Sequence, residues 1–214
     1  MVNSSGTEPI TMKKLLTAIL CSCQLCALAQ KVVHHAYTTY YNPVSRVADS
    51  VVWDLTPAMV SCPATTRHDV FAKDPAIAGS AKPADYRNSG YDKGHLFSYA
   101  DAQCDSADRI ECFYMTNMLP QVHPFNAGDW KTLETQERVW AQTAALHILA
   151  GGTGSLGRLP AGENIPAFMW KAIWMNGKWT CWIMPNQSTS KGHTLAFWEK
   201  PLAEFNQQTG LHLR

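Results

Sequence analysis

Apolar residues along this chain fall into two kinds of run, one strand-like and one with helical spacing. Tyr37-Thr38-Thr39-Tyr40-Tyr41 is aromatic and β-branched, Asn42-Pro43 is a turn signal, and Val47 to Leu55 resumes strand-like residues, which predicts a β-hairpin. Ala167 to Trp174 and Trp179 to Met184 are apolar, aromatic runs on either side of Asn176-Gly177, a strong hairpin signal. Between these pairs, Trp130, Leu133, Ala141, Ala144, Ala145 and Ile148 recur at helical spacing. Asp129 is the candidate N-cap of that helix, and Gly151-Gly152 its candidate end. Cys112 to Thr116 reads as a strand, and Tyr99 to Ala102 as a short helical turn. Leu195 to Phe205 predicts a closing helix that Pro201 must either begin or divide. From Thr56 through Pro83, prolines and glycines without periodicity predict irregular covering structure that holds Arg67, Phe71 and Asp74.

Length and composition change this picture at the N-terminus. The 214 residues suit one domain, and 46% hydrophobic against 16% charged residues is enough for a sizeable core. Lys13-Lys14, the apolar run Leu15 to Leu28 and Ala27-Leu28-Ala29 together read as a secretory signal with cleavage before Gln30. The expected organisation is therefore an upstream and signal segment over 1–29 and a single domain over 30–214. The apolar run is short for a membrane span, so no stable membrane insertion is expected and the product is secreted or periplasmic. Lipidation at Cys23 is the weaker alternative, because Leu20-Cys21-Ser22 matches the usual preceding motif poorly.

Cleavage leaves Cys62, Cys104, Cys112 and Cys181, an even count that permits two disulfides in an exported protein. Cys104 and Cys112 flank a short polar stretch and are the favoured pair, leaving Cys62 with Cys181; buried free thiols fit the same residues. No Cys-x-x-Cys spacing remains to suggest zinc. Removing Lys13 and Lys14 from 18 basic residues, and Glu8 from 17 acidic ones, leaves 16 of each. Near-zero charge argues against general polyanion affinity, so any nucleic-acid contact must use a local basic patch.

Candidate chemistry concentrates between Tyr91 and Arg138. Asp92-Lys93-Gly94-His95 is followed by Thr116-Asn117-Met118-Leu119-Pro120-Gln121, and then by Asn126-Ala127-Gly128-Asp129-Trp130-Lys131-Thr132-Leu133-Glu134. Glu134 and Arg138, four apart, share one helical face. Eight residues of straight helix would put Asn126 about 12 Å from Glu134, so Asn126 should sit in a bent lead-in that Gly128 permits.

These three blocks, in this order and spacing, resemble the DNA/RNA non-specific endonuclease family, with likeness running from about Tyr37 to Leu211. The resemblance implies an α+β protein with the ββα-metal (His-Me finger) fold, a central antiparallel sheet flanked by helices and long loops. It implies His95 as general base and Asn126 as the protein ligand of Mg2+, for which Mn2+ can substitute. It places Glu134 on a metal-bound water, and Arg138 and Arg67 on the transition state or substrate. Lys93 falls where the family usually has arginine, keeping the charge without the planar fork. Asn117 is expected beside the substrate site, bracing it rather than touching metal. His34, His35, His68, His123, His147, His193 and His212 show no ligand spacing. The implied activity is magnesium-dependent hydrolysis of phosphodiester bonds in DNA and RNA. An imidazole with an ordinary pKa near 6.5 suits proton removal, and magnesium, which retains several waters, needs few protein ligands. Two other readings fit the same residues: a nucleic-acid-binding protein of this fold that lost turnover through Lys93, and a phosphodiesterase for small substrates.

Overall fold

The computed structural model describes residues 29–214, so the signal segment and Cys21, Cys23 and Cys26 lie outside the described residues. In chain order, β1 (Gln30–Val33), β2 (Tyr37–Asn42) and β3 (Val47–Leu55) form an antiparallel meander. Tyr37, Thr39 and Tyr41 alternate inward along β2, so the expected hairpin is present. A four-residue helix α1 (Pro57–Val60) opens the irregular stretch, which continues to β4 (Asp92–His95). Then come α2 (Ser106–Glu111), β5 (Met118–Gln121), α3 (His123–Phe125), α4 (Lys131–Ala141) and β6 (Leu146–Thr153). The short strands β7 (Gly157–Arg158) and β8 (Asn164–Ile165) precede β9 (Phe168–Met175) and β10 (Lys178–Pro185). The chain closes with α5 (Leu195–Trp198), β11 (Glu199–Lys200) and α6 (Leu202–Thr209).

Seven strands make one antiparallel sheet in the order β1-β2-β3-β6-β9-β10-β11, and β4-β5 form a separate two-stranded ladder. The β9–β10 turn is the one Asn176-Gly177 predicts, with φ of 51° and 80° at its two residues. The sheet is covered on both faces. On β9, Met169 and Ile173 join the main core beside Trp53, Trp130 and Leu133, whereas Trp170 and Ala172 pack with Phe205 of α6. Alternation therefore sends Lys171 to the same face as Met169 and Ile173, where it is fully buried.

Several sequence expectations are corrected. The helix ends at Ala141 and not at Gly151-Gly152; Leu146, Ile148 and Ala150 are instead the buried positions of β6. Gly151 sits inside β6 because a Cβ there would collide with the Asp49 carbonyl oxygen and the Trp170 ring. Asp129 is not a cap: its buried carboxylate accepts from the backbone N–H of His193 and from Trp198 Nε1. Cys112 to Thr116 is no strand, the pairing segment being Met118–Gln121. Pro201 does divide the closing helix, into α5 and α6.

The disulfide is Cys62–Cys104, with Cys112 and Cys181 free and buried. The favoured Cys104–Cys112 pair fails because the intervening residues are helical. Asp105 caps α2 through the Ala107 N–H, and the six residues of that helix alone rise about 9 Å, beyond the reach of a disulfide.

Candidate active site

Strands β4 and β5 and helix α4 form a ββα unit that aims side chains into one cleft of about 310 Å³. Its lining includes Arg67, Lys93, His95, Asn126, Glu134 and Arg138. Six of the seven sequence-predicted site residues thus meet in one place. Asn117 is the exception. It is fully buried behind the cleft, where its Oδ1 accepts from the Phe97 N–H and its Nδ2 donates to the carbonyl oxygens of Phe97 and Cys112.

His95 ends β4 opposite Met118, and its backbone carbonyl accepts from Trp130 Nε1 at 3.2 Å, which ties the strand to the helix. Its ring packs edge-on against Phe113 and near Phe71. Nε2 is buried with no hydrogen-bond partner, which leaves Nδ1 as the nitrogen open to the cleft. Burial, reinforced by Arg67 and Lys93, lowers the imidazole to about 3, so the ring is neutral at physiological pH. Negative charge entering the cleft would raise that value. Gly94 is required beside it, because a Cβ would collide with the side chain of Gln121.

Asn126 lies in a π-type turn, Asn126–Trp130, that departs from helical angles at Gly128. The bend expected between Asn126 and Glu134 is therefore present. Asn126 Nδ2 donates to Asp92 Oδ2 at 2.8 Å, and the same carboxylate oxygen meets His123 Nδ1 at 2.8 Å. With its amide nitrogen so engaged, Asn126 presents its carbonyl oxygen, which accepts no hydrogen bond among the described residues. One oriented amide oxygen suits a hard, hydrated cation such as Mg2+ and would be a poor site for a softer metal.

Glu134 faces the cleft from α4, yet protein surrounds most of its carboxyl. Burial raises it to about 7 against the opposing pull of Lys171 and Arg138. Arg138 Nη1 donates to Asp101 Oδ1 at 3.2 Å and to Ser98 Oγ, and Nη2 donates to Thr135 Oγ1 in the turn of Glu134, so the guanidinium is held from both sides. Arg67 reaches in from the irregular segment, stacked near Phe113 and Tyr99 and paired with Asp69 at 2.6 Å. Lys93 Nζ lies 4.5 Å from the Phe71 ring centroid. Sequence reasoning passed over Lys131, which also lines the cleft, and Asp92 and Asp101, which hold Asn126 and Arg138. Asp92 stood inside the quoted motif; Asp101 gave no signal of its own.

A cavity of about 390 Å³ beside β3 and β6 has Asp49 as its sole titratable lining residue, so size alone does not locate chemistry. His35, Asp105 and Asp108 lie close enough to hold a cation. They lie outside the cleft lining, and Asp108 already bonds His35 Nδ1 at 2.6 Å while Asp105 caps α2.

Comparison with known proteins matches residues 26–214 to the sequence model of DNA/RNA non-specific endonucleases. A nuclease from Nostoc sp. is 34% identical over 146 residues, 66% of this chain and 53% of that protein. The Serratia marcescens nuclease is 29% identical over 84% of this chain and 73% of its own length. Human mitochondrial endonuclease G is 26% identical over 86% of this chain and 69% of its own. The chain thus spans about half the length of the Nostoc relative. In fold, it matches a chain of the crystal structure of the EndoG/EndoGI complex with TM-score 0.78 at 24% identity, covering 87% of this chain and 86% of that one.

Proposed function

This chain belongs to the DNA/RNA non-specific endonuclease family, and from that premise we propose that it is an exported, magnesium-dependent endonuclease acting on both DNA and RNA. The observation that carries the reading is the convergence of His95, Asn126, Glu134 and Arg138 on one cleft. His95, neutral and open at Nδ1, takes a proton from the attacking water. Glu134 would orient a water held by the magnesium ion, and Arg138, Arg67 and Lys93 offset charge on the phosphate and the departing oxygen. Asn126 would hold Mg2+, which supplies Lewis-acid polarisation of the phosphate. The cationic groups in the cleft suit phosphate and carry no code for base identity, consistent with action on either sugar.

Export is supported by the Cys62–Cys104 disulfide, which favours an oxidising compartment. Residues 30–214 are the proposed mature domain. Among the described residues no helix is long and apolar enough to cross a membrane. The test is digestion of supercoiled DNA and of RNA with Mg2+ and with chelator. Cleavage of both, lost in chelator and reduced about 10²–10⁴-fold in His95→Ala, is expected, with a comparable loss in Asn126→Ala. Binding without cleavage, or wild-type turnover by either variant, refutes the assignment.

A further inference from the structure

Directly beneath the cleft lies a charged group that does not touch it. Lys171 Nζ donates to Glu137 Oε2 at 2.8 Å, and both side chains are fully buried. The same ammonium lies 4.7 Å from the Trp130 ring centroid and 5.4 Å from that of Trp53. Trp130 is the residue whose indole N–H holds the His95 carbonyl. Glu137 stands on α4 between the two cleft-facing residues Glu134 and Arg138 in sequence, about 60° round the helix from Glu134 and turned into the core. Asp101, which grips Arg138, is also buried, and its Oδ2, like Glu137 Oε1, has no partner.

We infer that Lys171 is a positioning residue for this active site: through Glu137, Asp101 and Trp130 it fixes the charge of Glu134 and the placement of Arg138 and His95. The inference rests on the endonuclease reading of the cleft. A lysine on an inward strand position is costly to bury, so a purely structural role would be better filled by an apolar residue. The charge count supplies the reason for retaining it. Three carboxylates, Asp101, Glu134 and Glu137, face two cations, Arg138 and Lys171. Removing Lys171 leaves three against one, and the carboxylates respond by taking protons. Burial already raises Glu134 to about 7 and pushes Glu137 up as well, while the positive charge of Lys171 pulls both back down. His95, Lys93, Arg67 and Lys131 face Glu134 across the cleft and remain unchanged in the experiment below.

The deciding variant replaces the pair together, Lys171→Met with Glu137→Leu. Swapping both members of a buried ion pair for apolar residues of similar volume is commonly neutral or stabilising, so fold and function separate. Thermal midpoint in chelator, kcat and KM on DNA, and the pH dependence of kcat are measured against the native enzyme. The expected result is a native-like midpoint, KM within about twofold and kcat reduced at least about tenfold, with the acidic limb nearly in place, because one cation and one carboxylate leave together. Glu137→Gln provides a second measurement that keeps the core polar: it frees the lysine charge for Glu134 and moves the same limb to lower pH. Native kcat in the double variant overturns the inference, as does an unmoved limb in Glu137→Gln. A native enzyme without nuclease activity overturns the endonuclease reading instead.

Discussion

The two walls of the cleft are built by opposite means. One is the ββα unit: His95 is fixed by the β4–β5 ladder and by Trp130, and Glu134 and Arg138 by one helical face. The other is the irregular segment that carries Arg67. It has no ladder of its own beyond an isolated bridge between Ala72 and Tyr114. It is held by the Cys62–Cys104 disulfide and by Thr65, whose N–H and hydroxyl both donate to Gln103 Oε1 and whose hydroxyl also meets the Tyr99 hydroxyl. Groups whose direction matters for proton transfer sit on regular structure, where backbone hydrogen bonds fix them to fractions of an ångström. The cation on the loop wall is about half exposed and paired with one neighbouring aspartate, an arrangement that tolerates a mobile polyanion.

The largest test of this contrast removes the staple. The disulfide closes a 42-residue separation, for which loop entropy gives about 4 kcal/mol, or roughly 10 °C in thermal midpoint for a chain of this size. Cys62→Ser with Cys104→Ser should lower stability by that order. In the surviving folded enzyme KM should rise several-fold with kcat nearly retained, because the loop wall binds and the ββα wall reacts. An unchanged KM, or a collapse of kcat alone, would show that the two walls do not divide the work in this way.

On the helix wall a substitution should have the opposite sign for stability. Glu134 is raised to about 7 from an ordinary value of 4.5, so the folded state holds its proton more tightly than the unfolded chain. Folding is therefore penalised progressively as pH rises from about 4.5 to about 7, and the penalty is constant above that. Glu134→Gln, which cannot ionise, should melt like the native protein near pH 4.5 and higher than it above pH 7, by a few degrees, while losing most nuclease activity. Melting curves in chelator across that range check it; an advantage that shrinks as pH rises would refute the assigned shift.

The same division explains what the sequence made legible. Both hairpins follow from local rules: β-branched and aromatic runs, and an Asn-Gly pair in which both residues take positive φ. The cleft was legible through three motif blocks, and the bend at Gly128 through helix arithmetic alone. The disulfide was missed because spacing in sequence does not show that Asp105 caps a helix between Cys104 and Cys112. The helix was overextended because Ala144, Ala145 and Ile148 continue the helical spacing from Ala141, whereas Leu146, Ile148 and Ala150, spaced by two, are the inward positions of a strand. Lys171 was passed over although Phe168-Met169-Trp170-Lys171-Ala172-Ile173 shows one charge in an otherwise apolar strand. That signal is local, but its meaning requires knowing what α4 lays against it.

The smallest expected effect belongs to Lys93, which stands on the ladder yet does the work of the loop wall. It pairs with Pro120 across β4–β5, so its backbone is fixed, while its ammonium rests over Phe71 in the lining of the cleft. Lys93→Arg keeps the charge, so the electrostatic depression of His95 and the pH profile should stay as they are. A guanidinium stacks on an aromatic face at least as well and adds a second donor for phosphate oxygens. The gain should be about threefold or less in kcat/KM, the scale of one exposed cation–π or phosphate contact. Steady-state rates on DNA at two ionic strengths measure it, the gain shrinking as salt screens the phosphate. A tenfold fall would mean that the fixed backbone leaves no room for the broader group between Phe71 and the substrate. Lysine would then be a residue fitted to this cleft, and the strand wall, rather than the loop, would set how the phosphate enters.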